Sequence, residues 1–317
     1  MIRLMLLTGF LGAGKTTLMK NILDEFAGEK VGMIVNEFGE TGVDGALLAR
    51  QGVLMSELAN GSIFCACIKE NFLQSLIDMS KPHVSQNGKH AYISHLFIET
   101  SGLADPSEMG RILEVIMPLC DKGYDYRGAV CLVDAETFLE LSDLLPALTR
   151  QVEYCGAAII NKADLVDEER LKLIAETITQ LNPGCEIIVT SYSRLDVSAL
   201  MDRLSPVEKA PIDSTNTPET RPSSFVLKPA AQAEFSVEGL HGLVKELSPY
   251  AYRIKGFLPT ADGVAAINSV GGHTEIDPWT EPYPGYALVV ISSIGIGVIS
   301  KITKALDDAE FKGKLCL

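Results

Sequence analysis

The chain has few positive charges for its length. Its 317 residues include 27 lysines and arginines against 41 aspartates and glutamates, which gives a formal net charge of -14. Proteins that bind nucleic acid along its phosphate backbone usually present a basic surface that displaces counterions. The composition therefore argues against a DNA or RNA partner.

Long hydrophobic runs are also lacking. The longest, from Tyr286 to Ser300, is interrupted by serines and glycines and falls short of the roughly 18 residues that a membrane-spanning helix needs. The opening stretch MIRLMLLTG is too short for the core of a signal peptide. We therefore expect a cytoplasmic protein with no membrane partner.

Cysteine and histidine are scarce, with seven and five residues. An odd number of cysteines without a secretory signal indicates reduced thiols. A close pair of cysteines in such a protein is more typical of a metal or redox site than of a disulfide.

A glycine-rich motif stands at the start of the chain. Residues 6–17 read LLTGFLGAGKTT and fit the pattern G-x-x-x-x-G-K-[ST] directly after an apolar strand. In such a loop the backbone N–H groups surround phosphates, a lysine adds positive charge and a hydroxyl binds Mg²⁺. The helix predicted from Lys15 to Glu25 directs its positive end at the same point. The residues that we expect to bind the nucleotide are Gly9, Gly12, Ala13, Gly14, Lys15, Thr16 and Thr17, with Thr16 also on Mg²⁺; the alternative is a turn that fits the pattern by chance.

A second motif, N-K-x-D at residues 161–164, follows the apolar strand predicted over 157–161. The Asp164 carboxylate can accept both N–H groups on one edge of guanine, Asn161 can serve the opposite edge, and the stem of Lys162 can lie over the ring. Adenine lacks that pair of donors, so the motif favours GTP over ATP. The alternative is a structural role in which Asp164 caps a helix.

A third motif, HLFIETSGLADP at residues 95–106, is an apolar strand that ends in a carboxylate. Glu99 is placed to act near Mg²⁺, and the N–H of Gly102 to act near the γ-phosphate. The alternative is that Glu99 is a buried acid held by N–H groups of the loop.

Strand and helix patterns alternate through the first two thirds of the chain, which predicts an α/β fold with a mainly parallel sheet covered by helices on both faces. Residues 205–222 are rich in Pro, Ser and Thr and are typical of a linker. We expect a nucleotide-binding domain over 1–204 and a smaller α+β domain over 223–317.

Together these segments resemble the CobW-type GTPases, which are related more distantly to the nickel-enzyme maturation proteins UreG and HypB. The matching segments are GFLGAGKTT at 9–17, IVNEFGETGVDGALL at 34–48, ELANG at 57–61, IETSGLADP at 98–106, NKADL at 161–165 and RIKGFL at 253–258. The resemblance implies a GTPase domain with a CobW carboxy-terminal domain. It also implies that GTP hydrolysis drives metal delivery or the insertion of a metallocofactor, including cobalamin-related ones, into a client protein.

The chain departs from the family in its cysteines. Members usually carry C-x-C-C after the E-L-x-N-G run. Here Ser62 and Phe64 stand at the first two cysteine positions, Cys65 keeps the third, and Cys67 is an addition.

Two thiols can still bind Zn²⁺ or Co²⁺ if other ligands complete the site. The candidate ligands are Cys65 and Cys67 with Glu37, and Glu40 and Asp44 lie in the same preceding loop. The alternative is a pair of small, half-buried cysteines with no metal role.

The expected reaction is hydrolysis of GTP to GDP and phosphate, with Lys15, Glu37 and Glu99 as catalytic groups. Loops 36–48 and 99–105 would respond to loss of the γ-phosphate. The sequence shows no evident residue to position the attacking water, so intrinsic hydrolysis should be slow and be accelerated by a partner or by homodimerisation. Two functions remain open: a metallochaperone for an unidentified metalloprotein or corrinoid-dependent client, or a regulatory GTPase that reactivates a client metalloenzyme without metal cargo of its own.

Overall fold

A computed structural model describes most of the chain. It covers residues 1–36, 53–58, 69–84, 90–142, 145–207, 209, 223–280, 283 and 285–317. The chain divides into two compact units, Met1–Thr220 and Arg221–Leu317. None of the helices in these ranges is long and apolar enough to cross a membrane.

The first unit is built on a parallel sheet. Its strands are β1 (Ile2–Gly9), β2 (Val31–Asn36), β3 (Val53–Leu58), β6 (His95–Glu99), β7 (Tyr124–Asp134), β8 (Ala157–Asn161) and β9 (Glu186–Val189), and two short strands, β4 (His83–Val84) and β5 (His90–Ala91), pair with each other outside the sheet. In the part of the chain that the structure describes, the order is β3-β2-β6-β1-β7-β8-β9, and every neighbouring pair is parallel. The expected parallel sheet is thereby confirmed.

Helices cover both faces of this sheet. They are α1 (Lys15–Glu25), α2 (Lys69–Met79), α3 (Met109–Ile116), α4 (Phe138–Ser142), α5 (Pro146–Glu153), α6 (Glu168–Leu181) and α7 (Val197–Arg203). Helices α1 and α7 contribute to the apolar cluster on one face, and α2 to α6 contribute to the cluster on the other. Along β7, Val130 and Leu132 belong to the first cluster whereas Cys131 and Val133 belong to the second. Burial on both faces explains why these strands read as continuous apolar runs.

The parallel arrangement brings the connections that follow the strands to one edge of the sheet, because the carboxyl ends of parallel strands all lie on the same side. Four of them, the segments that follow β1, β6, β8 and β9, contain or contact the sequence motifs. The register pairs Leu7 with Glu99 and Asp134 with Asn161. The three sequence motifs therefore meet at this edge.

The second unit is an antiparallel sheet with helices. Its strands are β10 (Ser224–Pro229), β11 (Ala251–Thr260), β12 (Gly263–Val270), β13 (His273–Trp279), β14 (Ala287–Ser292) and β15 (Leu315–Cys316), in the order β13-β12-β11-β14-β10-β15 within the described ranges. Helices α8 (Val237–Leu247) and α9 (Val298–Ala305) pack on the sheet and share its apolar core. This is the small α+β architecture that the sequence predicts.

One polar side chain of the first unit provides a test of its stability. Asn182, directly after α6, is 5% exposed, and its Nδ2 donates to the carbonyls of Val152 (2.9 Å) and Cys155 (2.9 Å). Asn182→Ala would leave both buried carbonyls without this donor and should lower the free energy of unfolding by about 1–3 kcal/mol. Urea unfolding would measure the change. Gln180→Ala, at an exposed position of the same helix, should stay within about 0.5 kcal/mol of wild type, and equal effects of the two substitutions would contradict the assignment.

Candidate nucleotide-binding site

The loop after β1 has the backbone that only glycine adopts readily. Gly9, Gly12 and Gly14 have φ values of 137°, 79° and 105°. A Cβ at position 9 would lie 2.4 Å from the carbonyl oxygen of Leu132, and one at position 14 would lie 2.3 Å from Nδ2 of Asn161. Both the backbone conformation and the close packing therefore require glycine at these positions. The loop curls tightly at the N-terminus of α1, as an anion-binding site requires.

Lys15 folds back over this loop. Its Nζ donates to the carbonyls of Gly9 (2.8 Å) and Phe10 (3.1 Å), and the residue is only 7% exposed. Thr16 is half-buried and Thr17 is exposed in the first turn of α1. The ammonium group is thus fixed at the positive end of the helix, where phosphate oxygens would bind.

Buried polar groups surround the end of β6. Glu99 is 6% exposed and lies beside Leu7 of β1 in the sheet register. The hydroxyl groups of Thr8, Thr100 and Ser101 are buried, and among the described residues they have no hydrogen-bond partner. Buried hydroxyls are normally satisfied. A triphosphate with a hydrated Mg²⁺ would supply partners of the right kind, so this edge fits the ligand that the motifs predict.

The loop after β6 rests on the phosphate loop. A Cβ added to Gly102 would lie 2.7 Å from the backbone nitrogen of Leu11, so the two loops touch. Gln151 of α5, 1% exposed, donates through Nε2 to the carbonyls of Gly102 (3.2 Å) and Ala104 (3.0 Å). Sequence reasoning missed Gln151, because a single glutamine on a helix carries no motif.

Asn161 makes contacts that the sequence did not indicate. Its Nδ2 donates to the carbonyl of Ala13 (2.9 Å), and its Oδ1 accepts from the N–H of Ser193 (2.8 Å). The side chain therefore joins the phosphate loop to the loop after β9. An amide nitrogen carries two hydrogens, so one remains for the guanine edge to which the sequence assigned this residue.

Ion pairs hold the side chain of Lys162 in one direction. Its backbone is left-handed, with φ of 61°, and its Nζ lies 2.7 Å from Oδ2 of Asp134 and 3.7 Å from Oε2 of Glu136. The Asp134 side chain is 2% exposed. The ion pair holds the aliphatic stem at the site edge, where it can lie against a flat ring.

Asp164 is exposed, which leaves its carboxylate accessible to a ligand. Its backbone N–H donates to the Ser191 hydroxyl (3.2 Å), and the preceding N–H, of Ala163, donates to the carbonyl of Thr190 (3.1 Å). The loop after β9, residues 190–194, thus supports the base-reading motif. This loop was also missed by sequence reasoning, because two serines after a strand are a weak signal.

The structure does not describe the remaining predicted site residues. Glu37, Cys65 and Cys67, as well as Glu40 and Asp44, lie outside the described residues. Within the ranges that the structure does describe, no group of three or more His, Cys, Asp or Glu side chains could hold a metal ion.

A parallel sheet whose carboxyl edge carries a glycine-rich loop, a following helix and an N-K-x-D sequence defines a phosphate-loop nucleotide-binding protein. The family model of the CobW/HypB/UreG nucleotide-binding domain matches residues 3–189. The chain belongs to this family, and the resemblance predicted from its motifs is confirmed.

Relatives with established names are similar over part of their length. The zinc chaperone YjiA of Escherichia coli K12 is 30% identical over 204 residues, which covers 63% of this chain and 61% of YjiA. The zinc-regulated GTPase metalloprotein activator 1 of Schizosaccharomyces pombe is 32% identical over 209 residues, which covers 62% of this chain and 48% of that protein. The chain thus spans between about half and three fifths of the length of these curated relatives. A crystal structure of Zn(II)-bound YjiA GTPase from E. coli has a TM-score of 0.47 and 24% identity, covering 96% of this chain and 98% of that one.

The exposed carboxylate of Asp164 allows a direct test of base recognition. In Asp164→Asn the side chain keeps an oxygen that accepts the ring N–H but presents an amide donor where guanine has an amino group. Xanthine carries a carbonyl at that position, so affinity should move from GDP to xanthosine diphosphate. The loss for GDP should be at least about tenfold, since a hydrogen bond to a charged group contributes about 1.5–3 kcal/mol.

Isothermal titration calorimetry with both nucleotides measures the change. Glu169→Gln, which neutralises another exposed acid five residues further along the chain in the first turn of α6, is the matched control and should bind GDP as wild type does. Unchanged GDP binding by Asp164→Asn would show that this carboxylate does not read the base.

Proposed function

We propose that this protein binds GTP with Mg²⁺, hydrolyses it slowly to GDP and phosphate, and uses the resulting change to deliver a transition metal ion to a client metalloprotein. The metal that the names of its relatives favour is Zn²⁺. The proposal also includes Co²⁺ as the metal and a corrinoid-dependent protein as the client, although the names of the relatives favour neither.

The main support for nucleotide binding is the contact between the segment expected to read the base and the segment expected to bind phosphate. The Asn161 amide connects Ala13 of the phosphate loop to Ser193 of the loop after β9, and Asp164 is supported by that same loop. A nucleoside and its phosphates would therefore meet one connected set of groups. An exposed carboxylate at the base end suits guanine, because guanine has two adjacent donors on one edge and adenine does not.

Lys15, held at the N-terminus of α1, would bind the phosphate oxygens together with the N–H groups of the loop. Thr16 and Glu99 are the residues that would hold Mg²⁺, which when bound neutralises charge on the transferred phosphoryl group. Gly102 would direct its N–H to the γ-phosphate while Gln151 holds its carbonyl. The amide nitrogen of Gln151 already donates to two backbone carbonyls, so we do not assign this glutamine to the attacking water, and slow intrinsic hydrolysis remains part of the proposal.

Cys65 and Cys67, with Glu37, are the residues that we propose as metal ligands. Thiolates and a carboxylate are a donor set that Zn²⁺ accepts, and all three residues lie in segments that follow the strands β2 and β3. We expect loss of the γ-phosphate to change these segments, so binding of GTP and binding of metal would be coupled.

A regulatory GTPase without metal cargo is the second candidate. The observation that favours it is the replacement of two cysteines of the family pattern by Ser62 and Phe64. In that case the switch would act on a client metalloenzyme directly, and the two remaining thiols would be packing groups.

The phosphate site can be tested separately from the metal. Lys15→Ala removes the buried ammonium group and should weaken GTP binding about 10- to 100-fold, as expected for loss of a charge-assisted contact. Phosphate release measured with GTP and ATP should show preference for GTP in wild type and almost no turnover in the variant. Normal GTP binding by Lys15→Ala, or equal use of ATP by wild type, would contradict the proposal.

The metal proposal predicts thiol-dependent binding of Zn²⁺ that depends on nucleotide. Zn²⁺ would be titrated against a competing chelator with GDP or with a non-hydrolysable GTP analogue, in wild type and in Cys65→Ser/Cys67→Ser. We expect one tight site in wild type, a different affinity with the two nucleotides, and loss of the site in the double variant.

The control for this titration is Cys316→Ser, which removes an exposed thiol of the second unit and should leave the tight site intact. If wild type binds no Zn²⁺ tightly under either nucleotide while GTP binding is normal, the regulatory GTPase becomes the better description.

A further inference from the structure

The helix that follows the phosphate loop also contacts the base end of the site. Asn21, on α1, donates through Nδ2 to the carbonyls of Tyr192 (3.0 Å) and Ser193 (2.8 Å). An amide nitrogen has two hydrogens, so both are directed at this loop. A single side chain thereby connects α1 to a segment 171 residues further along the chain.

The loop needs such support because two of its residues adopt an energetically unfavourable backbone conformation. Tyr192 and Ser193 have φ values of 57° and 52°, and the left-handed region is disfavoured for residues other than glycine, asparagine and aspartate. The Tyr192 side chain is 66% exposed, so packing of that ring does not fix the backbone. In this conformation both carbonyls accept from the Asn21 amide, and these hydrogen bonds stabilise the strained backbone.

The loop positions both residues that we expect to read the base. The N–H of Ser193 donates to Oδ1 of Asn161, and the hydroxyl of Ser191 accepts from the N–H of Asp164. A change in the backbone at 192–193 would therefore displace a partner of the Asn161 side chain and a partner of the Asp164 backbone. The Ser193 hydroxyl also donates to the carbonyl of Gly14 (3.2 Å) in the phosphate loop.

We propose that Asn21 is a positioning residue for base selectivity: it holds the loop at 190–194 in its left-handed conformation and so fixes Asn161 and Asp164 for guanine. The inference rests on the proposed GTP-binding function. It assigns a role in base recognition to a residue of the phosphate-binding helix that does not itself need to touch the nucleotide.

The test compares a guanine nucleotide with a ligand that has no base. Dissociation constants for GDP, ADP and inorganic pyrophosphate would be measured by calorimetry with wild type, Asn21→Ala and Asn21→Asp. Asn21→Ala should bind GDP about tenfold more weakly, as expected for loss of two neutral hydrogen bonds, with pyrophosphate binding changed less than twofold. Alanine is the better helix former, and a thermal melt followed by circular dichroism would verify folding.

Asn21→Asp separates hydrogen bonding from side-chain volume. Aspartate has nearly the same size but opposes two carbonyl oxygens with acceptors, so it should weaken GDP binding at least as much as alanine does. A role in packing alone would leave Asn21→Asp close to wild type, and that result would overturn the proposal.

Two further variants serve as control and rescue. Glu25, one turn along α1, accepts from the N–H groups of Val197 (3.0 Å) and Ser198 (2.7 Å) at the start of α7. Glu25→Ala removes comparable contacts from the same helix and should leave the ratio of GDP to ADP affinity unchanged. Tyr192→Asn places a residue that tolerates the left-handed region in the loop. Added to Asn21→Ala, it should raise the GDP affinity of that variant at least threefold.

The outcomes distinguish this proposal from the one on which it rests. If wild type does not prefer GDP to ADP, the guanine assignment fails and this inference fails with it. If wild type prefers GDP and Asn21→Ala keeps that preference, or loses GDP and pyrophosphate binding equally, the positioning role of Asn21 alone is wrong.

Discussion

The nucleotide-binding edge depends on the hydrogen bonds of one buried amide. Asn161 is 3% exposed and lies between the carbonyl of Ala13 and the N–H of Ser193. These groups belong to segments that are far apart in the chain and are brought together only by the parallel order β1-β7-β8-β9. A buried amide without partners would be costly, so the side chain fixes both loops at once. The phosphate and base ends of the site are therefore connected through this side chain.

The same amide limits what can stand in the phosphate loop. Because a Cβ at Gly14 would lie 2.3 Å from Nδ2 of Asn161, any larger residue would displace the amide as well as strain the backbone at φ of 105°. Glycine at this position thus also leaves room for the amide of the N-K-x-D motif. The two motifs are separate in sequence, but packing makes each depend on the other.

Much of this edge could be predicted from sequence, because its motifs are local. The bounds of α1 and β8 and the parallel sheet follow from apolar periodicity and the residues that end each element. Strand β3 was missed because Ser56 and Glu57 interrupt its apolar run, and β13 because its sequence HTEIDPW contains few apolar residues. The left-handed pair at 192–193 could not be predicted, since the Asn21 amide that donates to it lies 171 residues earlier in the chain.

Lys162 shows why recognition and stability are difficult to separate at such a site. Its ammonium group pairs at 2.7 Å with Asp134, whose side chain is 2% exposed, and a buried carboxylate without a partner would destabilise the fold. The left-handed backbone of Lys162 costs roughly 1–2 kcal/mol for a residue with a Cβ, and the ion pair offsets that cost. An apolar residue could cover a guanine ring equally well, but it would leave Asp134 without its cationic partner and with only the N–H of Glu136 on Oδ1 (3.0 Å). The lysine of N-K-x-D therefore also serves Asp134 of β7, so loss of GTP binding on its removal would not by itself measure contact with the base.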